Sequence, residues 1–170
     1  MSLDDPRSDR EGGEVAPFVR RFLRASLVWL GVGVLLGFGI AVWPAGLMVI
    51  RPAHVHATLL GFVTMMIFGV AYHVIPRFTG AALHSPVLAE AHVWVANLGL
   101  VLMVGGWILR AAVGAAGTPA LHAGATLNVL SAGLFIYNIW RTLDAAPAPV
   151  GRGGRVWKAQ PGVPQSGSGA

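Results

Sequence analysis

The chain has 170 residues, 55% of them hydrophobic and only 11% charged, where soluble proteins carry about 25% charged residues. So small a globule cannot bury that much apolar surface, which excludes an ordinary soluble domain and makes lipid the natural solvent. There is no cysteine, so disulfides, thiolate metal sites and cysteine-held iron–sulfur clusters are excluded. The net charge of +5 comes from basic residues that flank apolar segments. It forms no recognition patch, and nucleic acid is not expected as a partner.

In chain order, residues 1–17 read as a polar, disordered tail carrying Asp4, Asp5, Asp9, Glu11 and Glu14. It lacks the short apolar core of a secretory signal. A first apolar segment from about Phe22 to Val42 has roughly the 20 residues that span ~30 Å of hydrocarbon. Trp43-Pro44 breaks it and places an indole at an interface. The second segment runs from about Pro52, suited to a first helical turn, to Ile75. Pro76 to Pro86 is expected to form a loop. The third runs from Val87 to Leu109, and Gly114 to Thr118 is a turn. The fourth runs from Pro119 to Trp140, and the Gly-, Pro- and Ser-rich stretch 144–170 is a second disordered tail. Uninterrupted apolar runs without alternation are helices rather than barrel strands. The expectation is an all-α integral membrane bundle of four transmembrane helices over residues 18–143, packed through its many glycines.

Basic residues set the orientation. Arg7, Arg10, Arg20, Arg21, Arg24, Arg77, Arg141, Arg152, Arg155 and Lys158 fall on one side, and Arg51 and Arg110 on the other. The positive-inside rule then puts both termini in the cytoplasm, with the chain in an inner membrane.

Ionisable residues at membrane depth are costly and point to function. His54, His56 and His122 fall in the first turns of the second and fourth segments, at the outer face. His73 and His92 lie toward the inner face, and His84 is in the inner loop. Along the second helix the two levels are ~28 Å apart. Two residues two apart on a helix point ~200° apart, so His54 and His56 serve two different sites more readily than one. Neutral imidazoles in a dry site suit haem iron, copper or zinc. Arg51 and Arg110, at the same outer level, suit carboxylates such as haem propionates. The plain alternative is that these histidines only hydrogen-bond headgroups or water. His73 and His92, near Tyr72 and Glu90, form either a second metal site or an ordinary polar cluster. Glu90, Asn97, Asn128 and Asn138 are expected to hydrogen-bond between helices. Trp94 and Trp107 are expected to pack or anchor rather than line a cofactor.

The stretch Arg51-Pro-Ala-His-Val-His-Ala-Thr-Leu-Leu-Gly-Phe, continuing to Tyr72-His-Val-Ile-Pro-Arg77, resembles the haem–copper oxidase superfamily of terminal oxidases, nitric oxide reductases and related NnrS-type proteins. In the catalytic subunits of that superfamily one helix carries a His-x-His pair, one imidazole for each of two haems. His54 and His56 match it in spacing and in the Gly-Phe that follows. The resemblance implies a membrane redox protein that holds haem b, with copper as a further cofactor. It implies an oxidoreductase acting on oxygen or nitric oxide, or else a non-enzymatic sensor or accessory subunit, and an electron-donor protein as partner. It departs from the pattern in lacking adjacent His-His and His-Pro-Glu motifs. It also departs in having four segments where the catalytic subunits have about twelve helices in three arcs. A homotrimer would restore twelve and let His54 and His56 face different neighbours.

Overall fold

The computed structural model describes residues 15–147, and every regular element within them is a helix. The two expected tails lie almost wholly outside the described residues. The first long helix, α1 (Pro17–Val42), begins with proline at its first position, where the missing N–H costs nothing. It ends at Trp43, as the sequence suggested. A short helix, α2 (Pro44–Leu47), and a 3₁₀ turn (Met48–Ile50) then carry the chain straight into the second long stretch without a loop.

That stretch is not a uniform α-helix. It opens as α3 (Arg51–His56), widens into a π-helix over Ala57–Thr64, and resumes as α4 (Met65–Thr79). The widening begins where the Ala57 N–H is shared between the carbonyls of Ala53 and His54. The Thr64 hydroxyl reaches back five residues to the Leu59 carbonyl at 2.9 Å. Pro76, expected to stop the helix, lies inside it. The helix continues to Thr79, whose hydroxyl caps the Ile75 carbonyl at 2.9 Å, and ends at the left-handed Gly80.

The helix α5 (Pro86–Val113) starts at Ser85, whose side chain accepts from the Leu88 N–H. A 3₁₀ turn (Gly114–Gly117) joins it to α6 (Thr118–Asp144). Three stretches are long and apolar enough to cross a membrane: Pro17–Val42, Met48–Thr79 and Pro86–Asp144. The third has 59 residues. Straight, it would run ~90 Å, three times the hydrocarbon thickness. It does not run straight. Gly114 sits at φ 69° and ψ −134°, a conformation costly for any residue with a Cβ. There α6 folds back against α5. The two backbones meet closely: a Cβ on Gly106 would stand 2.6 Å from the Leu121 nitrogen, and one on Gly124 would strike the Met103 backbone.

The core is aromatic, and every long stretch contributes to it. Phe22 from α1, Phe68 and Tyr72 from α4, His92 from α5 and Phe135 from α6 stack edge-on and tilted around one centre. α1 runs antiparallel to the α3–α4 stretch, with Phe22 beside Tyr72 at one end and Gly37 beside His54 at the other. Trp29 fits against Gly61, where a Cβ would come within 2.6 Å of it.

The hairpin yields a test. Gly106→Leu must push α6 away from α5 and should cost about 2 kcal/mol in mixed-micelle unfolding. Gly105→Leu, one residue away in open space, should cost a small fraction of that. Equal effects would mean that the two helices do not pack through this face.

Candidate functional site

His54 and His56 lie two residues apart on α3 and point to opposite sides, as the helical period requires. His54 lies against α1, its imidazole occupying the space a side chain at Gly37 would take, with Cε1 2.7 Å from where that Cβ would be. Its Nδ1 is 2.8 Å from the Gly33 carbonyl oxygen. His56 faces α5. Its ring stacks near Trp107, centroids 6.5 Å apart and planes 24° apart, and its Nδ1 is 2.7 Å from the Pro52 carbonyl oxygen.

These two hydrogen bonds determine the chemistry. A carbonyl oxygen only accepts, so in each ring Nδ1 must carry the proton and donate it. The other nitrogen, Nε2, then keeps its lone pair. Neither Nε2 has a hydrogen-bond partner among the described residues. Histidines that ligate metals usually show this arrangement, because the donated Nδ1–H orients the ring and makes Nε2 a better base. Both imidazoles are half-buried and so are partly shielded from water.

His73 is the reverse case. An Arg77 guanidinium N–H donates to its Nδ1 at 2.6 Å, which leaves the proton on Nε2 and no lone pair to offer there. His92 is fully buried, its Nδ1 3.1 Å from the Tyr72 hydroxyl and its Nε2 without a partner. It is walled in by the rings of Phe22, Phe68, Tyr72 and Phe135. His122 is exposed in the second turn of α6, and its carbonyl accepts from the Thr126 hydroxyl. His84 is exposed beside Tyr137. Among the described residues no three His or acidic side chains come together as a metal cage. The sequence-predicted donors therefore do not form one cluster: His54 and His56 share a helix turn, and His73, His92 and His122 each stand apart.

The end of the bundle that carries His56 holds a feature that the sequence did not reveal. Trp107, expected to pack or anchor, faces His56 and buries an indole Nε1–H that has no acceptor. A buried unpaired donor costs about 1–3 kcal/mol, so an acceptor supplied from elsewhere would relieve it. The Arg110 guanidinium lies 6.0 Å from the same ring's centroid. Trp107 and Arg110, three apart on a helix, were a legible pair; the missing clue was that His56 lies opposite. Arg51 is exposed at the start of α3.

Other polar groups serve the architecture. Glu90 pairs with Arg21 across α1 and α5 and accepts from Trp94 Nε1 at 3.0 Å. Asn97 accepts from Trp29 Nε1 at 3.2 Å, also across α1 and α5. Asn138 holds both main-chain groups of Ser85. Asn128 stays within its own helix, donating to the Gly124 carbonyl at 2.8 Å, and departs from the interhelical role expected of it. A cavity of about 60 Å³ beside the π-helix, with Thr64, Asn128 and Ser131 among its walls, is far smaller than the ~300 Å³ of ordinary ligand sites.

The tautomers can be checked directly. Nitrogen NMR of the histidine rings should show His54 and His56 protonated at Nδ1 and His73 at Nε2. A proton on Nε2 of His56 would remove the donor lone pair.

No protein-family model matches the sequence. Among curated proteins it is similar to the cbb3-type cytochrome c oxidase subunit CcoN1 of Stutzerimonas stutzeri, 29% identical over 164 residues. The match covers 75% of this chain and 33% of that protein, so the chain spans about a third of the relative's length. With three helical stretches long and apolar enough to cross a membrane, the chain is a multi-pass membrane protein, similar over part of its length to an oxidase subunit.

Proposed function

We propose that the chain is a haem-holding membrane redox protein, in which His54 and His56 each offer Nε2 as an axial ligand to haem b. The observation that carries this reading is the pair of Nδ1–H···O=C bonds, which leave two lone pairs on opposite sides of one helix. The similarity to an oxidase subunit supports the cofactor class. The unpaired Trp107 Nε1–H, with Arg110 beside it, fits a carboxylate-bearing group next to His56. Arg51 is a further cation for such carboxylates at the same level. Bound haem supplies a one-electron couple, whose potential depends on ligand identity, hydrogen bonding and burial. The protein's own contribution is orientation: Gly33 and Pro52 carbonyls hold the rings, and Gly37 leaves room for one of them. Where copper binds as well, His122 is the remaining outer-level donor.

In this reading the Pro86–Asp144 hairpin crosses the bilayer twice, giving four crossings with both termini in the cytoplasm of an inner membrane. The internal cavity has no room for a porphyrin, which supports haem at the surface of the bundle, between copies. A trimer is favoured: it brings the total length to that of the relative, of which one chain covers 33%. An electron-donor protein and a gaseous substrate, oxygen or nitric oxide, follow for a catalytic assembly. The share of the relative that is covered equally supports a second reading, a haem sensor or an accessory subunit of a larger complex.

Purified membranes should show a Soret band and a reduced α-band that are lost in His54→Ala and His56→Ala, with helicity unchanged. A colourless protein after expression with ample haem would overturn the proposal. Native mass measurement should find haem only on particles of more than one chain. Stoichiometric haem on a monomer would overturn the shared site.

A further inference from the structure

The cavity of about 60 Å³ beside the π-helix has three polar walls: Thr64, the last π-helical residue, and Asn128 and Ser131 from α6. Its apolar walls include Leu60, Met65 and Phe68, and none of its walls is ionisable. Ser131 is 2% exposed, and its hydroxyl has no hydrogen-bond partner among the described residues. A buried hydroxyl without a partner is costly, and at hydrocarbon depth bulk water cannot supply one.

The other two polar walls turn their donors onto their own helices. The Thr64 hydroxyl donates to the Leu59 carbonyl at 2.9 Å, and Asn128 Nδ2 donates to the Gly124 carbonyl at 2.8 Å. What they keep for an occupant is oxygen lone pairs, on Thr64 Oγ1 and Asn128 Oδ1. The backbone is disturbed at the same place. The Met65 N–H reaches back three residues to the Phe62 carbonyl, where a π-helical step would take it to Leu60.

An occupant therefore has to be small and has to donate hydrogen bonds. Water meets both conditions, since one molecule needs about 10–15 Å³ of such space and about three polar partners. A metal cation also accepts lone pairs, but no wall offers it a counter-charge. A lone charge at that depth is far costlier than a neutral molecule.

We propose that the cavity is a site for a small cluster of ordered water, which bridges Thr64 of the π-helix to Asn128 and Ser131 of α6 and so fixes the register of α6 against the π-helix. Water-bridged hydrogen bonds are nearly as favourable as direct ones. Here they connect two helices on which the bonds of Thr64 and Asn128 otherwise stay local. Neither His54 nor His56 takes part, so the site stands apart from the haem reading.

The test is water-edited solid-state NMR on the full-length protein in phosphatidylcholine bilayers, with Ser26 as the internal control. Ser26 is fully buried and its hydroxyl donates to the Leu23 carbonyl at 2.8 Å, so it should receive no magnetisation from water. Thr64 and Ser131 should receive it strongly. Ser131→Leu, which fills the cavity, should abolish transfer to Thr64. Ser131→Ala, which removes the hydroxyl and leaves the space, should weaken that transfer and serves where the larger side chain prevents folding. Wild-type transfer to Thr64 and Ser131 no greater than to Ser26 would overturn the site. Full-strength transfer to Thr64 in Ser131→Ala would overturn the bridge. Shifts of Thr64 and Asn128 that follow exchange of sodium for potassium at constant ionic strength would put a cation there and overturn the assignment to water.

Discussion

Hydrocarbon offers no partner to a polar group, so every backbone N–H and C=O at that depth must be satisfied within the protein. Helices meet that demand along their length and fail wherever their regular hydrogen bonding is disturbed. In this chain the disturbance is concentrated around the histidine pair. Pro52 contributes no N–H, the helix widens after His56 into eight residues of π-helix, and Thr58 turns its hydroxyl back on the His54 carbonyl at 2.9 Å. Here the two imidazoles give their Nδ1 protons to main-chain carbonyls. Each such bond contributes only about 1 kcal/mol to stability. Its larger effect is on tautomer: once the proton is committed to Nδ1, the ring presents a bare nitrogen. π-Helical turns often occur at functional sites, and this one immediately follows His54 and His56.

The same constraint separates the histidines from one another. His73 receives a hydrogen bond from Arg77 and so cannot present a free Nε2 lone pair. His92 is paired with Tyr72 and enclosed by phenyl rings. Its ring joins α1, α4 and α6 to α5 at one level of the core. Position near a membrane surface, the criterion available from sequence, treats all of these as equivalent. What distinguishes them is the hydrogen bond on the other ring nitrogen.

Much of the architecture was legible because it follows from apolar run length. The start of α1 lies five residues before the expected Phe22, and its end at Val42 matches. The ends of α4 and α5 overrun the expected Ile75 and Leu109 by about a turn, because Pro76 and Arg110 do not stop helices whose neighbours satisfy the backbone. The opposition of His54 and His56 follows from the helical period alone. What could not be read is register between helices. That Gly37 faces His54, Gly61 faces Trp29 and Trp107 faces His56 depends on how α1 and α5 slide along the α3–α4 stretch, and on a π-helix that no composition signal marks. For the same reason Asn128 was misjudged: hydrogen-bonding capacity can be read from sequence, but not whether the nearest acceptor lies on another helix or one turn back.

Register also explains why His54 and His56 cannot serve one centre inside a single bundle. α1 closes over one imidazole and α5 over the other, with the helix backbone between them. The cavity beside the π-helix is about 60 Å³, room for a few waters. In the proposed reading, a macrocycle held by either nitrogen would lie outside this interior, against a lipid-facing surface or another chain. Lipid would be a poor second wall for such a group, since it offers neither imidazole nor donors for carboxylates. A second copy would offer both, because each bundle carries an exposed His122 and exposed Arg51 and Arg110. In the proposed haem-holding reading, the tautomers and the small interior would place one helix turn between two neighbouring interfaces.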